Sequence, residues 1–114
     1  MANETGEYEN YVVNITQSAE DDLNEIIMYI ARNNPQTATR IMEKLKAKIN
    51  TLDHLPNRGG YVPELLARNI KEYRQITETP WKIIYKVDEK IVNVLAVIDS
   101  RRNLQDLLVR KLLK

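Results

Sequence analysis

The sequence predicts a single α+β domain in which an antiparallel-rich sheet of about four strands packs on an N-terminal helical hairpin. Three observations predict this class. An early segment alternates in polarity at period 2, the segment after it repeats apolar residues at helical spacing, and strand-like segments separated by short breaks follow. The predicted order of elements is β-α-α-β-β-β, with a short helix in the C-terminal tail.

The first strand is predicted over residues 11–16, YVVNIT, where Tyr11, Val13 and Ile15 fall on one face. A helix is predicted to begin next, because Thr16 or Ser18 can accept hydrogen bonds from free backbone N–H groups. The acidic residues that follow suit the positive end of a helix dipole. The apolar stripe of this helix comprises Ala19, Leu23, Ile26, Ile27 and Ile30.

A second helix is predicted from Pro35 to about Leu55. Proline is favoured at the first helical position, since its missing N–H has no partner there, and Asn34 can act as the cap. Because only a short turn separates the two helices, they are predicted to form an antiparallel hairpin on one face of the sheet. His54, near the helix end, is expected to stabilise the C-terminal carbonyl groups.

The second half of the chain is predicted to be mostly strands. Residues 56–63, PNRGGYVP, are predicted as an irregular loop because of their prolines and paired glycines. Strands are predicted at Glu72–Thr77, Trp81–Val87 and Ile91–Asp99, and the short breaks between them indicate an antiparallel meander. The last strand is apolar on both faces, as expected of a central strand.

Composition excludes several classes of function. Seventeen Lys and Arg against sixteen Asp and Glu give a net charge of +1, so the chain as a whole is not a polybasic nucleic-acid binder. With no cysteine and one histidine, disulfides, thiolate chemistry and metal-ligand clusters are not expected, nor is a cofactor. Residues 1–10 are predicted to be a disordered polar extension and residues 11–114 a single domain. We expect a cytoplasmic protein without a membrane span.

Two long strings and the start of the first helix resemble a known family. The strings are PELLARNIKEYRQI at 63–76 and PWKIIYKVDEKIVNVLAVIDSRRNLQDLL at 80–108. With Ala19, Asp22, Leu23 and Ile26, they resemble the RelE/ParE toxin superfamily, in particular its ParE-like branch, whose members are often called plasmid stabilisation proteins. The resemblance implies a toxin that a cognate antitoxin holds inactive. In ParE-like members the toxin poisons DNA gyrase without known catalytic chemistry.

A RelE-like activity, cleavage of mRNA on the ribosome, is the alternative. Such cleavage needs a group to take the proton from the ribose hydroxyl, positive charge on the phosphate and a proton for the leaving oxygen. Its candidates here would be Arg74, Lys82, Arg101 and Arg102. RelE-like members that cleave mRNA commonly carry a Tyr or His beyond the paired basic residues, and this sequence departs from that pattern, since no Tyr or His follows Tyr85. The sequence therefore favours binding over catalysis. A third alternative is a non-toxic member that acts only as an antitoxin-binding module.

The charged candidates for partner binding each have a structural alternative. Arg101 and Arg102 leave the last strand together, and Arg101 could instead pair with Asp99 or Asp106. Arg74 either faces the same concavity or pairs with a neighbouring glutamate. Lys82 and Lys86 share one strand face, which is either a basic patch or an ordinary solvated face.

The apolar candidates also have two interpretations. Tyr61, in the glycine loop, either anchors a partner or packs as a lid. Met28, Tyr29 and Met42 lie partly off the helical stripes. They either form an exposed surface suited to an antitoxin segment or fill gaps in the core. A homodimer and a toxin–antitoxin hetero-oligomer are both compatible with the sequence.

Overall fold

The computed structural model describes residues 10–112, which form a five-stranded sheet with helices on both faces. Short 3-10 turns at Thr51–Asp53 and Pro56–Arg58 follow the second helix. The strands and helices in chain order are β1 (Val12–Ile15), α1 (Gln17–Ala31), α2 (Pro35–Asn50), β2 (Gly60–Tyr61), α3 (Pro63–Leu66), β3 (Arg74–Glu78), β4 (Trp81–Asp88), β5 (Ile91–Asp99) and α4 (Leu104–Leu112).

The predicted α+β class and element order are confirmed. The proposed extension at 1–10 lies outside the described residues except for Asn10, as do the last two positions of the predicted tail helix.

The sheet has the strand order β1-β5-β4-β3-β2, and only the β1–β5 pair is parallel. The antiparallel meander predicted for the last three strands is confirmed. The short strand β2 contradicts the irregular loop predicted there: Gly60 pairs with Gln75, and Tyr61 pairs with Arg74. Local sequence could not predict β2, because its hydrogen-bonding partner is a distant strand.

Both helices of the hairpin begin as predicted. The Thr16 hydroxyl accepts from the Ala19 N–H at 3.3 Å, and the Asn34 side chain accepts from the Thr37 N–H at 3.0 Å. The end of α2 differs from the prediction, since the helix stops at Asn50. The Arg58 guanidinium donates to the Thr51 carbonyl at 3.0 Å. The role expected of His54 is therefore wrong, and its Nδ1 lies 2.6 Å from Asp53 Oδ1 instead.

The core has two layers, one on each face of the sheet. On the hairpin side, buried residues of α1 and α2 such as Leu23 and Ile49 pack on Ile83, Tyr85 and Val94. On the other side, α3 and α4 cover the second face of the sheet. The buried residues of this second layer, from the strands and the helices together, are Val62, Leu65, Ile84, Ala96, Ile98, Leu104 and Leu108. The hairpin therefore covers one face of the sheet, as predicted, and the later helices cover the other. The apolar residues on the second face of β4 and β5 require their own cover.

A bulge interrupts β5 at Leu95, and beyond it β5 has a strand neighbour on one side only. The β4–β5 register passes from Tyr85↔Val94 to Ile84↔Ala96, so Leu95 is unpaired. On its other side, β5 pairs with β1 only as far as Val94. Within the described sheet, residues 95–99 of β5 therefore form an open edge.

Candidate partner-binding site

A cleft of about 580 Å³ lies between the C-terminal half of α1 and the turn that follows β5. We call this cavity the arginine cleft. It brings together two predicted candidate pairs, Met28 with Tyr29 and Arg101 with Arg102. Its complete lining is Glu25, Ile26, Met28, Tyr29, Ile30, Arg32, Trp81, Asp99, Arg101 and Arg102.

The α1 wall of the cleft carries exposed apolar side chains. Met28 and Tyr29 are 69% and 70% exposed, because they lie off the stripe of α1 that packs on the sheet. The Arg32 guanidinium lies 5.9 Å from the centroid of the Tyr29 ring, within cation–π range. Trp81 packs against the core and also lines one side of the cleft. Sequence reasoning missed Arg32 because its position in the cleft depends on the β5 turn.

On the opposite wall, Arg101 forms the ion pair with Asp99 that was one of its two predicted alternatives. Its Nε and Nη2 donate to the two carboxylate oxygens at 2.9 and 2.6 Å. The Arg101 side chain holds the pKa of Asp99 down to about 2, mainly by hydrogen bonding. The same hydrogen bond raises the pKa of Arg101, and Tyr29 makes a smaller contribution from across the cleft.

Arg102 differs from its neighbour. Its backbone N–H donates to the Asp99 carbonyl at 3.1 Å, while its side chain is exposed. Among residues 10–112 the Arg102 guanidinium forms no hydrogen bond or ion pair. It also lines an adjacent cavity of about 250 Å³, which extends along the open edge of β5 to Leu107 and Lys111. Arg102 is therefore an unneutralised cation at the junction of the two cavities.

Asp22 of α1 stabilises the open edge of β5 beside the cleft. Its Oδ2 accepts from the Val97 N–H at 2.9 Å, and its Oδ1 accepts from Lys111 Nζ at 2.6 Å. One carboxylate thus connects α1, β5 and α4. The sequence indicated only that this acid suits a helix N-terminus, because both of its partners lie more than seventy positions away.

Arg74 belongs to a separate cluster, which we call the loop brace and define as Pro56, Gly59, Tyr61, Arg74 and Tyr85. Arg74 Nη1 donates to the carbonyl oxygens of Gly59 at 2.7 Å and of Asn57 at 3.3 Å. Its guanidinium lies 4.7 Å from the centroid of the Tyr61 ring. Both alternatives predicted for Arg74 are therefore wrong, since it neither faces the cleft nor pairs with a glutamate. Tyr61 is 42% exposed and packs beneath this arginine.

A buried phenol completes the loop brace. The Tyr85 hydroxyl donates to the Pro56 carbonyl at 2.5 Å and accepts from the Gly59 N–H at 3.1 Å. Burial raises the pKa of Tyr85, so the phenol remains a donor at neutral pH. Sequence reasoning missed Tyr85 as a structural hub, because an alternating strand pattern does not show where a hydroxyl finds its partners.

The remaining candidates lie elsewhere. Lys82 pairs in register with Ile98, which faces α4, so Lys82 lies on the opposite sheet face from Arg74. Lys86 Nζ lies 3.7 Å from Glu72 Oε2, in an exposed ion pair. Met42 packs against the core, as its gap-filling alternative predicted. The four residues considered for ribonuclease chemistry therefore do not converge on one site.

Comparison with known proteins decides the family. A family model described as the ParE toxin of the type II toxin-antitoxin system parDE matches residues 13–104. The chain belongs to the ParE toxin family. The resemblance inferred from the sequence is thereby confirmed, and this ParE-family chain is a toxin of the type II toxin-antitoxin class. No match to a curated protein sequence is significant.

Two solved structures share the fold of this ParE-family toxin. One is a chain of the chromosomal ParDE system from P. aeruginosa, with a TM-score of 0.67 and 18% identity over 80% of this chain and 97% of that one. The other belongs to the toxin-antitoxin complex RelBE2 from Mycobacterium tuberculosis. Its TM-score is 0.53 at 18% identity, covering 79% of this chain and 91% of that one.

Between Asn10 and Leu112, no group of three or more His, Cys, Asp or Glu side chains could hold a metal ion. No helix among these residues combines the length and apolar character that a membrane span requires.

Proposed function

We propose that this ParE-family toxin inhibits growth by binding an essential target, DNA gyrase as in ParE-like relatives, and that a cognate antitoxin neutralises it in the cytoplasm. Plasmid stabilisation is the biological role that such a pair would serve. The observation that carries the proposal is the separation of Arg74, Lys82 and the Arg101–Arg102 pair across the sheet.

This separation argues against the RelE-like alternative. Cleavage of a phosphodiester requires a base, a charge stabiliser and an acid within hydrogen-bonding reach of one another. Arg74 directs its donors to its own loop, and Lys82 lies on the other face of the sheet. Arg101 is paired with Asp99. No Tyr or His follows Tyr85 in the chain, so Arg102 lacks the proton-transfer residue that RelE-like members commonly carry beyond the paired basic residues. Binding explains this arrangement better than catalysis does.

The arginine cleft supports a protein partner. Met, Tyr and Arg are enriched at the centres of protein–protein interfaces, and here they are exposed side by side. Exposing these apolar side chains to water is energetically unfavourable, and a partner that buries them would gain binding free energy.

Controlled expression in bacteria tests the proposal. We expect growth arrest that co-expression of the adjacent small open reading frame reverses. We also expect the purified toxin to inhibit DNA supercoiling by gyrase in vitro, while translated messages remain intact by primer extension.

Two results would change the conclusion. Cleavage within codons of translated messages, lost in an Arg102→Ala variant, would establish the ribonuclease alternative. Unchanged growth with a folded protein that binds the antitoxin tightly would instead identify a non-toxic binding module.

A further inference from the structure

We infer that residues 55–61 are the surface through which this toxin contacts its target, with Leu55 and Tyr61 as apolar anchors that enter an acid-rimmed pocket of a folded protein. The inference rests on the proposed function, because it takes the proposed target, DNA gyrase, as the occupant. It goes further by naming the part of the toxin that makes the contact and the chemistry of the surface that receives it.

The backbone at Leu55 is strained, although its side chain is not buried. Its φ of 47° and ψ of 58° lie in the left-handed region, which a residue with a Cβ atom adopts at an energetic cost. Glycine or asparagine adopts this conformation more readily, yet the position carries a leucine that is 52% exposed. Packing in the core therefore does not compensate for the strain. Strain held at an exposed apolar residue is typical of a binding surface.

The loop brace holds this strained segment in one conformation. The Tyr85 hydroxyl and the Arg74 guanidinium together form hydrogen bonds with the backbone at Pro56, Asn57 and Gly59. A segment that is already fixed loses little conformational freedom when it binds, so more of the contact energy remains as affinity. The brace thus positions the two anchors, and its own residues act on the partner only through them.

The anchors point to a folded partner with a concave surface. Leu55 and Tyr61 are exposed, whereas Pro56 and Gly59 between them are buried, so the segment turns its apolar side chains outward. Neither of the two cavities described above is lined by any residue of 55–61. The partner must therefore supply the pocket that the anchors enter. A folded protein can supply such a pocket, whereas an extended segment would need a groove on the toxin.

The charges around the anchors select an acidic rim on the partner. The Arg58 guanidinium donates to the carbonyl and hydroxyl oxygens of Thr51, and the Arg74 guanidinium donates to carbonyl oxygens. These acceptors are uncharged, and within residues 10–112 neither arginine forms an ion pair with a carboxylate. Two cations therefore lie beside the apolar anchors. Carboxylates on the partner would complement them and speed its association with the toxin.

The segment and the arginine cleft lie at opposite ends of the helical hairpin. The cleft is lined by the C-terminal half of α1, which leads into α2, and residues 55–61 follow shortly after the far end of α2. The 16 residues of α2 separate the two surfaces by about 24 Å at 1.5 Å per residue. Binding at one surface can therefore be changed by mutation without disturbing the other.

The decisive variant is Leu55→Asn, which removes the anchor and suits the left-handed backbone. We expect the midpoint of thermal unfolding to stay the same or to rise, while the concentration of toxin needed to inhibit DNA supercoiling by gyrase increases about 30-fold. Leu66→Asn is the matched control, because Leu66 is 42% exposed on α3, which covers the other face of the sheet. This control should inhibit gyrase as the wild type does.

A pair of substitutions at Asn57 tests the acidic rim independently of Leu55. Asn57 is exposed, and its contact with Arg74 uses only the backbone carbonyl, so both variants should keep the fold. We expect Asn57→Asp to weaken inhibition about 5-fold and Asn57→Lys to strengthen it, with both differences shrinking as the salt concentration rises. Equal inhibition by the two variants would overturn the acidic rim.

Binding of the purified product of the adjacent open reading frame to Leu55→Asn, measured by calorimetry, should match its binding to the wild type. Loss of that binding with unchanged inhibition of gyrase would overturn the inference by assigning the segment to the antitoxin. Inhibition by Leu55→Asn at the wild-type concentration would also overturn it, while the proposed function would stand. A wild-type toxin that does not inhibit gyrase would refute the proposed function, and the inference with it.

Discussion

The loop brace and the arginine cleft each contain an arginine that the sequence marked as a candidate for partner binding, yet the two guanidinium groups have different surroundings. Arg74 donates to two carbonyl oxygens of its own loop and lies over Tyr61. Arg102 has no such partner within residues 10–112 and borders two cavities. An arginine's role therefore depends on whether the fold brings hydrogen-bond acceptors to it. Substitutions in the loop brace should therefore change the stability of the fold, whereas substitutions of Arg102 should change partner binding.

The largest effect is expected from Gly59→Ala in the loop brace. A Cβ atom at this position would overlap the Tyr85 hydroxyl and lie 2.5 Å from the backbone carbonyl oxygen of Gln75. The backbone at Gln75 cannot move aside without a large energetic cost, and the hydrogen bonds of Tyr85 would be disturbed. We therefore expect the free energy of unfolding to fall by about 3 kcal/mol. Urea unfolding followed by the fluorescence of Trp81, the single tryptophan, measures it.

Gly60→Ala is the matched control for this experiment. No heavy atom lies within 4 Å of a Cβ built on Gly60, so its effect should stay within about 0.5 kcal/mol. Equal effects of the two substitutions would mean that the loop brace does not hold this segment in place.

Asp22→Ala should have the next largest effect, because Asp22 supports the edge of β5 beside the arginine cleft. The change leaves the Val97 N–H without its acceptor and leaves the Lys111 ammonium, whose side chain is only 22% exposed, with the Ser18 carbonyl oxygen at 3.4 Å as its remaining acceptor. We expect a loss of about 2 kcal/mol in the free energy of unfolding. Asp21→Ala, at an exposed position one residue earlier, should cost about 0.5 kcal/mol, and a similar cost for both would contradict the assigned role.

These two sites also show which parts of the structure the sequence could predict. The caps at Thr16 and Asn34 and the limits of β5 followed from local patterns, because their partners lie within a few residues. The contacts of Asp22 and Tyr85 cross the molecule, so no local pattern could indicate them. The candidate site was only partly predictable for the same reason, because its two walls come from distant parts of the chain.

Exposure of Met28 and Tyr29 was one of two predicted alternatives, since helical spacing shows which residues lie off the buried stripe. That the same cleft would contain Arg101 and Arg102 depended on how the end of β5 packs beside α1. Side-chain positions within an element were thus predictable, whereas the meeting of two distant elements was not.

A direct comparison of the two arginines should give a smaller but decisive difference. Arg74→Ala removes two hydrogen bonds and a cation–π contact, so we expect the free energy of unfolding to fall by about 1.5 kcal/mol. Arg102→Ala should stay within about 0.5 kcal/mol, because its side chain makes no contact of this kind in the described structure. Thermal or urea unfolding at neutral pH measures both. Equal losses would remove the contrast between structural and binding arginines.

The smallest effect concerns the ion pair inside the cleft and is best measured as a pKa. The pKa of Asp99 is about 2 in the folded chain, below its ordinary value of 3.8, so the pair stabilises the fold above about pH 4 and loses this contribution as the pH falls towards 2. Arg101→Gln should return the pKa of Asp99 towards 3.8 in an NMR titration of its carboxyl group. Arg101→Lys should fall between, because it keeps the charge but not the two-point contact. If Asp99 titrated near 3.8 in the wild type, the two-point contact between Arg101 and Asp99 would not persist in solution.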